Sequence, residues 1–238
     1  MSIGNTTYNH KHYLCIMNDK PHIIVEPTAD GSATLYVEEL DEHYHSVKGA
    51  LTEAEHIYRD CAFMHRSDGT PLRLLEIGFG TGLNAVVTAM AANADHPVHY
   101  ISLEKYPVEA QLLSHLAYDR QVDNSLLQAI HAAEWNKPVA ITPHFTLEKR
   151  QADYLTDPLP HNIDIVYFDA FAPEKQPEMW SEEAFTRLYN TLSPGAVLTT
   201  YCAKGHIRRL LSSLGLTVER LAGPIGGKRE ILRATRTK

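Results

Sequence analysis

The chain has 238 residues, 44% of them apolar, and a formal net charge of −7. That length suits one α/β domain or one such domain with an appendage, and the apolar fraction excludes global disorder. No run is long and apolar enough to cross a membrane, the N-terminus (MSIGNTTYNHKHY) lacks a signal-peptide core, and Cys15, Cys61 and Cys202 form no Cys-x-x-Cys pair, so a soluble cytoplasmic protein without a disulfide framework or structural zinc is expected.

In chain order, two strand-like runs, His22 to Glu26 and Ala33 to Val37, flank a turn-rich segment and predict a β-hairpin. A stretch dense in histidine and acid follows, turning helical from about Leu51, with Leu51, Ala54, Ile57, Tyr58 and Cys61 on one side. Residues 1–70 thus read as an N-terminal extension, part β and part helix, capping a main domain over 71–238. His43 and His45 would share a face of a strand. With no further ligand cluster in view, a hydrogen-bonded pair is expected and a metal site is not.

The stretch LLEIGFGTGLNA, 74–85, predicts a buried strand, a glycine turn and a helix opening near Leu83. Glycine permits positive φ and lets a ligand lie against bare backbone, and the helix start offers unsatisfied N–H groups. A second strand, Val98 to Leu103, ends in Glu104 and Lys105. Helical segments are expected at about 108–118 and 125–135. A strand near 144–148 leads to Asp153, and IDIVYFDAF, 163–171, carries Asp169 toward its end. A helix follows from Ser181, closed by Ser193-Pro194-Gly195. Then come a strand from Ala196 to Tyr201, a helix at about 206–214 and a terminal hairpin, 216–221 with 230–235.

Alternation of this kind implies an α/β fold whose sheet is mainly parallel with an antiparallel last strand. Ligands bind such sheets beyond the carboxyl ends of the strands, where the glycine turn, Glu104, Asp153 and Asp169 all fall. A dinucleotide fingerprint needs a sixth-position glycine where Leu83 stands, and no P-loop is present. Glu76, just before the turn, is unwelcome beside a pyrophosphate and suits a cationic ligand such as S-adenosylmethionine. Glu104 suits a ribose diol, and Asp153 an adenine amino group.

The Glu76-x-Gly78-x-Gly80-x-Gly82 pattern, with an acid 22 residues after Gly82, resembles class I S-adenosylmethionine-dependent methyltransferases and their Rossmann-like sheet. The resemblance implies a cofactor site of Glu76, Gly78, Phe79, Gly80, Thr81, Gly82, Asn84, Glu104, Lys105, Asp153 and Asp169. A narrower one rests on SLEKYP (102–107), YFDAFAPEKQPEMW (167–180), LSPGAVLTTYCAKGHIRR (192–209) and GGKREIL (226–232). These resemble the tRNA 5-methylaminomethyl-2-thiouridine methyltransferases, both the standalone MnmD proteins and the methyltransferase half of bifunctional MnmC.

That family implies N-methylation of the 5-aminomethyl group of wobble uridine-34, in the anticodon stem-loop of tRNA. Asp169 would contact the amine as the catalytic group. Phe171, Tyr44, His45 and Glu53 are candidates for the substrate pocket. Ala170 stands where bifunctional members carry glycine, and from the end at Lys238 methylation without their flavin oxidase activity is expected.

From Tyr201 onward, nine Lys/Arg face two acids, a balance of +7 that leaves −14 to the first 200 residues. Lys204, His206, Arg208, Arg209, Lys228 and Arg229 are therefore candidate phosphate contacts, with Arg229 alternatively an ion-pair partner of Glu230. Two rival readings stay open: a methyl- or aminopropyltransferase acting on a small-molecule amine, and a non-catalytic RNA-binding module.

Overall fold

Side-chain alternation along the central strands sets the layers of this molecule. The computed structural model describes residues 23–66, 69–116, 118 and 121–237. The N-terminal hairpin pairs β1 (Ile23–Pro27) with β2 (Ala33–Val37), and β3 (Glu42–His43) adds to β2. His22, expected at the start of the first strand, and Cys15 lie outside the described residues. Helix α1 (Ala50–Glu53) runs directly into a π-helical segment, Ala54–Phe63. Asp30 joins the hairpin to this helix, accepting from Ser32 N at 3.0 Å, Thr52 N at 2.9 Å and Thr52 Oγ1 at 2.9 Å.

The main sheet has eight strands: β4 (Leu72–Ile77), β5 (Val98–Glu104), β6 (Lys137–Thr142), β7 (Phe145–Gln151), β8 (Ile163–Phe168), β9 (Leu192–Thr200), β10 (Leu216–Ala222) and β11 (Glu230–Arg236). Their spatial order is β10-β11-β9-β8-β4-β5-β7-β6. The pairs β9–β8, β8–β4, β4–β5 and β5–β7 are parallel, while β10–β11, β11–β9 and β6–β7 are antiparallel. The described helices of this part are α2 (Leu83–Ala91), α3 (Ala110–Leu113), α4 (Asn124–Ala132), α5 (Glu182–Tyr189) and α6 (Gly205–Ser213). The antiparallel terminal hairpin matches the expectation.

Four departures are local. The helix expected at about 108–118 is a single turn, Ala110–Leu113, among the described residues. Strand β6 was not expected. It is short and half-exposed, and it turns back from the helix through Asn136 at φ 61°, a residue type that tolerates the left-handed region. Ser193, Pro194 and Gly195 belong to β9 rather than closing α5, and the β8–β9 register shifts at this point. Strand β8 stops at Phe168, which places Asp169 immediately beyond its end.

Because successive strand residues face opposite sides, Leu74 and Leu75, or Tyr167 and Phe168, enter different cores. One face packs Phe168 and Leu198 against Trp180, Phe185, Ile207 and Leu211. The other packs Leu74, Tyr100 and Tyr167 against α2 and against Leu35, Ala54, Ile57 and Tyr58 of the extension. Burying an aliphatic or aromatic side chain is worth about 1.5–3 kcal/mol, so this shared core fixes the extension against the sheet. Among the described residues, no helix is long and apolar enough to cross a membrane.

Candidate active site

The strand order turns back on either side of β4, and a cavity of about 350 Å³ lies beyond its carboxyl end. Its first wall is the glycine turn. Gly78 and Gly80 have φ of 91° and 51°, a region costly for any side chain. A Cβ on Gly78 would lie 2.7 Å from the Asp169 carbonyl oxygen, and one on Gly80 would lie 2.9 Å from the Tyr44 ring. Gly80 N donates to Glu104 Oε2 at 3.1 Å and Tyr106 N to Glu104 Oε1 at 2.8 Å, fixing the carboxylate at the cavity's edge. Burial pushes Glu104 upward from its ordinary pKa against those donors. Across the cavity, Lys105 Nζ meets Asp153 Oδ2 at 2.8 Å. Burial opposes the charge on Asp153, but the Lys105 ammonium and the Leu155 N–H outweigh it and lower its pKa.

The second wall comes from four distant segments. Asp169 N donates to Ile77 O at 3.1 Å, Tyr201 OH to Ala170 O at 2.9 Å and Trp180 Nε1 to Phe171 O at 2.8 Å, pinning residues 169–171. Ala170 lies outside the positive-φ region, so a methyl in place of glycine is accommodated there. The Asp169 carboxylate accepts from Tyr58 OH (Oδ1, 2.6 Å) and Asn84 Nδ2 (Oδ2, 2.8 Å). Burial raises its pKa, and those two donors and Lys228 oppose the rise. Tyr44 and Phe171 meet edge to face at 5.2 Å, forming an aromatic ledge over the cavity. Lys228 rests 3.5 Å from the Tyr201 ring centroid. Glu53 is buried on this wall, and burial raises its pKa.

Of the sequence-derived candidates, Gly78, Phe79, Gly80, Glu104, Lys105, Asp153, Asp169, Tyr44, His45, Glu53, Phe171 and Lys228 line the cavity together. Glu76, Thr81, Gly82 and Asn84 lie one layer behind it. For Glu76 this differs from the direct contact with a cationic ligand that was expected. Its side chain is fully buried beneath Ser102 Oγ, which donates to Oε2 at 2.6 Å, and Asn84 Nδ2, which donates to Oε1 at 3.1 Å. Burial raises its pKa to about 8. Asn84 thus bridges Glu76 and Asp169. Thr81 joins the turn to the extension, with His45 Nε2 at 2.8 Å from its hydroxyl. Burial drives His45 down to about 4, so it is neutral at pH 7. His43 pairs with Glu26 at 3.0 Å.

The basic candidates also divide. His206, Arg208 and Arg209 are exposed on α6 around the buried Ile207, and Arg229 is exposed on the β10–β11 loop. Lys204 is paired with Glu174, and Glu230 pairs with Arg220 rather than Arg229. Residues missed from sequence include Tyr58, Ser102 and Tyr201. The first two reach the site only through helix-to-sheet and strand-to-strand packing. Tyr201 stands at the end of an expected strand, the same signal that singles out Asp169.

The backbone cradle, the ribose-type acceptor Glu104 and the carboxylate held at the end of β8 fit S-adenosylmethionine. Fold and site define a class I S-adenosylmethionine-dependent methyltransferase. A family described as S-adenosyl-L-methionine-dependent methyltransferase matches residues 144–237. The tRNA 5-methylaminomethyl-2-thiouridine biosynthesis bifunctional protein MnmC of Cupriavidus necator is 31% identical over 226 residues, covering 85% of this chain and 33% of that protein. The chain is an S-adenosylmethionine-dependent methyltransferase similar to MnmC, and it spans about one third of the length of the curated relatives it matches. Among solved structures, MNMC2 of Aquifex aeolicus aligns with a TM-score of 0.70 at 23% identity, covering 91% of this chain and 71% of that one. Spermidine synthase of Thermotoga maritima aligns with a TM-score of 0.60 at 14% identity, over 92% and 70% of the respective chains. These two likenesses concern the fold.

Proposed function

We propose that the protein transfers a methyl group from S-adenosylmethionine to the nitrogen of a 5-aminomethyl group on the wobble uridine of tRNA. The observation that carries this reading is a half-buried carboxylate, Asp169, held by Tyr58 and Asn84 beside an aromatic ledge at the mouth of the cofactor cradle. Gly78, Phe79 and Gly80 would hold the cofactor's amino-acid end, Glu104 its ribose and Asp153 its adenine. When bound, the cofactor supplies an electrophilic methyl on a sulfonium sulfur. Asp169 accepts an N–H of the substrate amine and aims its lone pair. Tyr44 and Phe171 together support the uracil from one side and exclude water there. Alignment of two reactants in this way accounts for about 7–11 kcal/mol of a barrier.

Arg208, Arg209 and Arg229, exposed beyond the cavity, would track phosphates of the anticodon stem-loop, with His206 beside them and Lys204 released from Glu174. The acidic cavity would also admit a free amine, which favours a small-molecule amine transferase as the second reading. Nucleoside mass spectrometry of tRNA carrying 5-aminomethyl-2-thiouridine, incubated with the protein and cofactor, tests the proposal. Conversion to the methylaminomethyl nucleoside is expected. Methylation of putrescine or spermidine in its place would support the second reading.

A further inference from the structure

Two carboxylates, buried Glu53 and half-buried Asp169, line the same cavity, and only Glu53 has an oxygen to spare. Both oxygens of Asp169 already accept a short hydrogen bond, from Tyr58 and from Asn84. Glu53 is 4% exposed, its Oε1 has one long bond from Ser46 N at 3.4 Å, and its buried Oε2 has no hydrogen-bond partner. An ionised oxygen removed from water without a partner is destabilising by several kcal/mol, so Glu53 gains more from a visiting cation than Asp169 does. The cavity's own ammonium groups do not satisfy it. Lys105 is bonded to Asp153, and Lys228 lies on the Tyr201 ring without an ion pair to either carboxylate, although both feel its field.

We propose that Glu53 receives the substrate's ammonium and takes its proton, while Asp169 positions the nitrogen. This rests on the reading of the substrate as a primary amine. An aminomethyl group arrives protonated, with three N–H donors and no lone pair. One N–H bond breaks, its proton forms an O–H bond on Glu53 Oε2, and the electron pair left on nitrogen is the nucleophile. An N–C bond then forms as the methyl–sulfur bond breaks with its electron pair kept by the sulfur as a neutral thioether, so the nitrogen is again cationic with two N–H bonds and the product leaves as a secondary ammonium. The proton on Glu53 is the one released in each turnover. The two carboxylates thus divide the tension between binding a cation and releasing a lone pair.

The test compares two stem-loop RNAs, one with 5-aminomethyluridine and one with 5-hydroxymethyluridine at the wobble position. Each is titrated into the full chain with S-adenosylhomocysteine bound. The wild-type protein should prefer the amine at least about tenfold, the worth of a charged hydrogen bond. Glu53→Gln should shrink that preference below about twofold while S-adenosylhomocysteine affinity stays within about twofold. Undiminished preference in Glu53→Gln overturns the assignment. If Glu53→Gln does not fold, Glu53→Asp decides instead. It should keep the preference and lower kcat at least about tenfold, and an unchanged kcat overturns the proposal. Absence of any preference in the wild-type protein overturns the substrate reading itself, and this inference with it. A preference that survives in Glu53→Gln removes only the inference.

Discussion

The two walls of the cavity are built on different principles. The cofactor wall is backbone, a few consecutive residues in which glycine leaves room and a strand-end acid ties down the turn. The opposite wall is side chain, contributed by the extension (Tyr44, Glu53, Tyr58), the β8 end (Asp169, Phe171) and the C-terminal strands and loop (Tyr201, Lys228). The first wall is sensitive to any added atom, whereas the second is sensitive to loss of a particular functional group. A cofactor cradle can therefore be shared by enzymes whose substrates differ, with the substrate choice placed on the variable wall.

The comparison breaks most sharply at Gly78. Gly78→Val should weaken S-adenosylhomocysteine binding more than about 100-fold in calorimetry, because the new Cβ would strike the Asp169 carbonyl. Gly80→Val should cost less, since the atom in its way belongs to the Tyr44 side chain, which can turn. The reverse ranking would mean that the cradle is not the backbone element described. On the other wall, Asp169→Ala should lower kcat by about 10²–10⁴ in a methyl-transfer assay while cofactor affinity changes little. Normal turnover would remove Asp169 from the reaction.

Tyr58→Phe sharpens the same point. It deletes one hydroxyl, 2.6 Å from Asp169 Oδ1, and should reduce kcat roughly tenfold. That hydroxyl opposes the upward push of burial on Asp169, so without it the acid limb of the pH–rate profile should move to higher pH. A limb that stays in place would show that Asp169 does not govern it. For the exposed cations, Arg208→Ala with Arg209→Ala should weaken tRNA binding several-fold and flatten the salt dependence by about one unit for each phosphate no longer neutralised. Band shifts at several salt concentrations measure both.

A separate effect, on stability and not on turnover, concerns Glu76, behind both walls. Its unfolded-state pKa is near 4.5 and its folded-state value about 8, so between those values the folded chain holds the extra proton. Stability from this group is full below 4.5 and is lost as pH rises through about 8, by up to about 1.4 kcal/mol per pH unit. Glu76→Gln should flatten that decline in denaturant titrations between pH 5 and 8. If it instead abolishes cofactor binding with the fold intact, Glu76 is a ligand contact after all.

Legibility of the site from sequence follows the same division. The placement of Gly78, Gly80, Glu104, Asp153 and Asp169 beyond the carboxyl ends of strands was readable, because periodicity and turn chemistry reveal such positions locally. The hairpins at 23–37 and 216–236, α5 with its Ser181 cap and the central parallel strands were readable for the same reason. Strand β6 was not, since a short half-exposed edge strand has neither strong alternation nor a hydrophobic run.

The amino-acid sequence by itself determined the α/β alternation, the glycine cradle and the acids along one sheet edge, because these depend on residues a few positions apart. Only the tertiary structure decided that Glu76 is buried behind the turn, that Tyr58 crosses from the extension to Asp169, and that Glu53 faces the cavity with an oxygen to spare. The reason is physical. A side chain's protonation and function depend on which distant groups exclude water from it and donate to it, and those neighbours are fixed by packing the extension against the sheet.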